Sequence, residues 1–173
     1  IGPAIVVAES AAMFKRFLFS ILLFGVVWAE PVTTRFFEVA APDAWADRQT
    51  SGALYFLYPG RDVEDPEDAN ISLSTSSISA GMSMDSLTFM GKHQIEQEYP
   101  ELALGASIPT KLGKLEAHRF EYKGMRKGKK FQVVQIFAMN GRTSYQIQFT
   151  GSEADFNSQR SAFESLLRSF RPL

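Results

Sequence analysis

Two histidines, His93 and His118, are the only side chains here whose ordinary pKa lies near neutrality, and the sequence has no cysteine. Nucleophilic catalysis would need one of them beside a serine, with a third group to orient the ring. His118 stands in "LEAHRFEY", where Glu116 and Phe120 share its side of a strand, and His93 falls on an expected helix. Neither has a nucleophile or an orienting acid close by in sequence, so both read as polar surface histidines. No catalytic residue is assigned and the chain is read as a non-enzyme, with a hydrolase whose site assembles only in space as an alternative.

Metal chemistry has two candidate stretches. "GMSMDSLTFMGKH" gathers Met82, Met84, Met90 and His93, a soft-donor set of the kind that an exported copper(I) site uses. Methionine is equally a flexible filler of cores, which is the favoured reading, so no metal and no cofactor is expected. A periplasmic carrier of copper or a small ligand stands as the alternative. "DVEDPEDAN" offers Asp62, Glu64, Asp65, Glu67 and Asp68 but lacks the central glycine and final glutamate of a calcium loop, and reads as a solvated segment.

"YKGMRKGKK" concentrates Lys123, Arg126, Lys127, Lys129 and Lys130 in an expected loop between two strands. Several cations on one protrusion raise the local potential and would meet an acidic protein face. The competing reading is a turn that blunts a sheet edge with lysine. These five residues form the expected partner-contact surface. The whole chain has a formal net charge of −1, without the basic excess of a nucleic-acid binder.

"YQIQFTGSEADF" passes from an alternating strand through glycine towards a helix, the layout that often holds phosphate. Ser152 and Asp155 instead fit a capping box, and Glu153 adds a carboxylate at the positive end of the helix dipole. An anion there would meet repulsion and occupied donors, so the segment is expected to reverse the chain only.

Residues 13–29 show a basic pair at Lys15 and Arg16, an apolar run too short to span a bilayer, and Ala29 before Glu30. That is the layout of a cleaved signal peptide, preceded by an upstream extension over 1–12. It implies a periplasmic or secreted domain over 30–173 with no stable membrane insertion. Without disulfides that domain must stand on its core, and it is long enough to do so.

The elements that position these residues follow from hydrophobic period. Strands are expected around Phe36 to Val39, Gly52 to Gly60 and Ile71 to Ser79, with Trp45 anchoring a loop or short helical turn. A helix is expected from Asp85 to Tyr99, weakened by Gly91 and stopped by Pro100. Three strands follow between Lys114 and Gly151, the last two joined at Asn140-Gly141 as a type I′ hairpin. Phe156, Phe163, Leu167 and Phe170 then line one side of a closing helix over Glu153 to Phe170.

"FEVAAPDAW", "ANISL", "YQIQFTGSEADF" and "FESLLRSF" together resemble the PsbP-like fold family, which includes photosystem extrinsic subunits, a Ran-binding import factor and DcrB-like bacterial envelope proteins. The resemblance implies an α+β domain in which an antiparallel sheet is covered by helices, an α/β/α sandwich. It also implies binding or assembly with an envelope protein, as assembly factor, accessory subunit or immunity-type protein. No functional residue transfers by motif, because members bind through different surfaces.

Overall fold

The computed structural model describes residues 31–42, 45–49, 53–57 and 69–173. The expected signal peptide, the acidic segment 62–68 and the end of the second expected strand lie outside the described residues.

Strand β8 (Lys129–Asn140) is buried without interruption from Phe131 to Ala138. Successive side chains on a strand point to opposite faces, so an unbroken buried run means that both faces are covered. Val134, Ile136 and Ala138 join one apolar cluster, with Phe156, Phe163, Leu166 and Leu167 of helix α2 (Glu153–Ser169). Phe131, Val133 and Phe137 join the other, with Leu87 and Ile95 of helix α1 (Met84–Glu98). The two helices therefore lie on opposite faces of one sheet.

That sheet has seven antiparallel strands in the order β3-β4-β5-β9-β8-β7-β6. They are β3 (Ala46–Gln49), β4 (Ala53–Leu57), β5 (Asn70–Ser77), β6 (Leu102–Leu112), β7 (Leu115–Arg126), β8 and β9 (Thr143–Ser152). Helix α1 carries the chain from β5 past β9, β8 and β7 to the edge strand β6, and three hairpins then return it to β5. A small second sheet, β1 (Pro31–Thr33), β2 (Phe37–Ala40) and β10 (Arg171–Pro172), closes the far end of α2. Ser169 Oγ accepts the Ala40 amide at 2.9 Å there, and Leu167 O accepts that of Gly113 at 2.8 Å.

Helix α2 buries all four residues of the expected apolar stripe. Its cap differs in detail. Ser152 Oγ accepts the Asp155 amide at 3.0 Å, but the Asp155 carboxylate accepts the Ser152 hydroxyl, at 2.7 Å, instead of reaching back to the cap's amide. Ser152 is at the same time the last residue of β9, in register with Phe131, so strand and helix join with no loop between them.

Four other expectations shift. Trp45 is buried, donates to Gln159 Oε1 of α2 at 3.3 Å and has its amide bonded to Pro42 O at 3.2 Å, so it anchors the expected turn, and strand β3 begins at the next residue, earlier than the period of the sequence suggests. Residues 102–112, to which the hydrophobic period assigns no element, form β6, whose bulge beside Gly105 and internal Pro109 suit an edge strand. The β8–β9 turn is centred on Gly141-Arg142, and Gly141 has φ of +60° while Arg142 does not share the left-handed region. That is the type II′ pattern. The type I′ pattern falls on Lys127-Gly128, with φ of +47° and +77°, which shortens the expected basic loop to a two-residue turn.

Gly91 sits mid-helix because α1 lies directly on Phe137, whose ring an added methyl would overlap. Gly91→Ala therefore sets a helix-propensity gain of about 1 kcal/mol against overpacking of about 1–3 kcal/mol. Urea unfolding is expected to show a net loss of stability, and a stabilised variant would mean that α1 is not seated on β8.

The same core holds Tyr99 and Tyr122, each pushed up from 10.0 to about 12 by burial, with Glu98 and Glu96 respectively adding to the rise. The unfolded chain loses these protons near pH 10 and the folded chain keeps them, so stability is complete below pH 10 and falls as pH rises towards 12. The urea midpoint should fall across that window while tyrosinate absorbance lags behind that of the unfolded chain. The Tyr122 hydroxyl meets no protein partner, so Tyr122→Phe is expected to stabilise by up to about 1–3 kcal/mol below the window.

Candidate functional site

The basic residues expected to form one protrusion are divided by the fold. Lys123 lies within β7 and its Nζ is 3.3 Å from Glu153 Oε1. Lys130 Nζ is 4.0 Å from the other oxygen of the same carboxylate. Arg126 pairs with Glu101 at 3.0 Å, and its guanidinium lies over the rings of Tyr99, 5.0 Å away, and Phe131, 5.5 Å away. Lys127 and Lys129 stand exposed at the tip of the hairpin. Partly exposed pairs of this kind are worth about 0–1 kcal/mol each, and the carboxylates of Glu101 and Glu153 offset part of the positive charge that the sequence run implies.

Arg119 is the most deeply buried charge. Its Nε lies 2.7 Å from Glu121 and its Nη1 2.5 Å from Glu164 of α2, with the rings of Phe156 and Phe163 about it. This group joins β7 to α2, and the buried Arg119 Nη2 has no hydrogen-bond partner.

A cleft of about 540 Å³ lies between α1 and the β5/β9 half of the sheet. Ser74 and Ser76 of β5 and Ser144 and Gln146 of β9 make its floor, and Met90, His93, Gln94 and Gln97 of α1 make its wall. Phe89 and Met90 stand 73% and 57% exposed along its rim. Of the four soft donors, Met82, Met90 and His93 line this cleft, whereas Met84 packs against the α1 core and does not. Met82 also packs partly into that core, and His93 Nε2 is 3.1 Å from Gln97 Nε2. Among the described residues, no three of His, Cys, Asp and Glu gather closely enough to hold a metal ion.

His118 on β7 lies 2.9 Å from Ser107 Oγ on β6 and packs on Phe120. Sequence reasoning missed this pair, since Ser107 sits on a strand that the hydrophobic period does not reveal. The distance suits proton transfer. Among the described residues no carboxylate is bonded to the ring's other nitrogen.

No protein-family model matches the sequence, and no curated protein is similar to it in sequence. The fold, by contrast, is shared. The solution structure of cyanobacterial PsbP from Synechocystis sp. PCC 6803 superposes with a TM-score of 0.63 at 15% identity, over 86% of this chain and 96% of that one. LpqN, involved in cell envelope biogenesis of Mycobacterium tuberculosis, gives 0.63 at 15% identity over 82% and 88%. Protein PA94 of Pseudomonas aeruginosa, of unknown function, gives 0.58 at 17% over 79% and 91%. With seven antiparallel strands between two helices and these likenesses over most of each chain, the protein has the PsbP-like fold.

Proposed function

We propose that this chain is an extracytoplasmic, non-catalytic domain of the cell envelope that works by docking another envelope protein, as an assembly factor, accessory subunit or immunity-type protein. The carrying observation is the likeness of whole folds to PsbP and to LpqN, a protein of envelope biogenesis. Export through residues 13–29 is part of the same reading. A non-catalytic role is supported by the position of the Ser107–His118 pair on the outer strands β6 and β7, with no orienting carboxylate bonded to His118 among the described residues.

The surface proposed for the contact is the β7–β8 hairpin, whose exposed tip carries Lys127 and Lys129, with Lys123, Arg126 and Lys130 beside it. A rim charge acts mainly on the rate of encounter and its salt dependence. An acidic face on the partner is therefore the expected complement.

Affinity capture from the protein's own cell envelope, read by mass spectrometry, should return an envelope protein. Lys127→Glu with Lys129→Glu should lower that capture several-fold at low salt, with circular dichroism unchanged. Unaltered capture would remove the hairpin from the proposal, and capture of no envelope protein would remove the docking role. Labelling of Ser107 by a fluorophosphonate, lost in His118→Ala, would replace the non-catalytic reading with hydrolysis.

A further inference from the structure

The sheet face under α1 changes character at one strand boundary. On β7 and β8 it is mostly apolar, with Phe120, Tyr122, Val133 and Phe137 around the buried Gln135, which donates to Gln148 of β9 at 3.1 Å. On β9 and β5 the register places Ser144 beside Ser76, Gln146 beside Ser74 and Gln148 beside Ser72 on that same face. Helix α1 covers the apolar half and borders the polar half, which is how the cleft arises.

Its chemistry is selective. Charged residues make up 21% of the chain, yet among the described residues no Asp, Glu, Lys or Arg lines the cleft. An ionic ligand losing its water there would find no countercharge. An acyl chain would strip water from the amides of Gln94 and Gln146 and the hydroxyl of Ser74 and give them no partner. None of those three bonds to another protein side chain, and hydroxyl and amide groups both donate and accept. A ligand rich in hydroxyls matches such a floor. The rim adds the second half of the match, since Phe89 and Met90 offer exposed apolar surface to the C–H face of a sugar ring.

We propose that this cleft binds a neutral saccharide, with Gln146, Gln94 and Ser74 bonding its hydroxyls and Phe89 and Met90 covering its apolar face. The volume of about 540 Å³ lies in the ordinary range of small-ligand sites. The cleft is separate from the hairpin proposed for protein docking, so either can fail without the other.

The test is saturation-transfer NMR with the full chain and maltotriose, cellotriose and tri-N-acetylchitotriose at millimolar concentration, beside thermal unfolding. At least one sugar should receive magnetisation at its ring protons and raise Tm with concentration. Phe89→Ala, at an exposed site, should leave the sugar-free Tm in place and weaken Kd roughly tenfold, and Gln146→Ala should do likewise, while Lys129→Glu leaves Kd unchanged. Absence of transfer from all three sugars, or equal Kd in the wild type and both cleft variants, would overturn the proposal. Copper(I) binding abolished by Met90→Leu and His93→Ala, without sugar binding, would overturn it in favour of a soft-metal site.

Discussion

Burial of β8 on both faces is the constraint from which the rest of the structure follows. Eight consecutive residues, Phe131 to Ala138, lie away from water. The strand is therefore stable only with a helix on each side and a paired strand at each edge. Helix α2 answers one face through Phe156, Phe163, Leu166 and Leu167, and α1 answers the other through Leu87 and Ile95. Burying side chains of this size contributes about 1.5–3 kcal/mol each, far more than any ion pair on the surface. Neighbouring strands, caps and turns are arranged to keep those two contacts in place.

Charge is spent on the same end. Arg119 crosses between β7 and α2, Lys123 reaches Glu153, and Arg126 spans Glu101 and two rings. Desolvating an arginine is costly, and Arg119 is held by two carboxylates and flanked by two aromatic rings. Among the described residues, two surface features differ in kind: a hairpin tip that exposes Lys127 and Lys129, and a cleft lined by serines, glutamines, methionines and His93. The fold is shared with PsbP and LpqN at 15% identity, and a shared fold does not carry a shared function.

Several elements were readable from local pattern, because one helix stripe or one alternating strand is encoded within a few residues. The α2 stripe, the Ser152 cap and the three-strand run are of this kind. Strand β6 was not, because an exposed edge with Gly105 and Pro109 has little apolar period to display. The type I′ turn was hidden for a related reason: Lys127 takes positive φ only because the β7–β8 ladder runs to its very base. Gly91 reads as a helix weakness in isolation and as a close-packing residue once Phe137 is opposite it.

By itself the sequence determined the compositional class, the absence of disulfides and thiolate chemistry, the α+β character and the apolar faces, all properties of residue type and spacing. Tertiary structure decided which cations keep their charge in water, since Glu101 and Glu153 reach Arg126, Lys123 and Lys130 only after folding. It decided too that serines of β5, glutamines of β9 and the α1 wall share one cleft. Those residues are up to some seventy positions apart, and only the antiparallel pairing of β5 with β9 makes them neighbours.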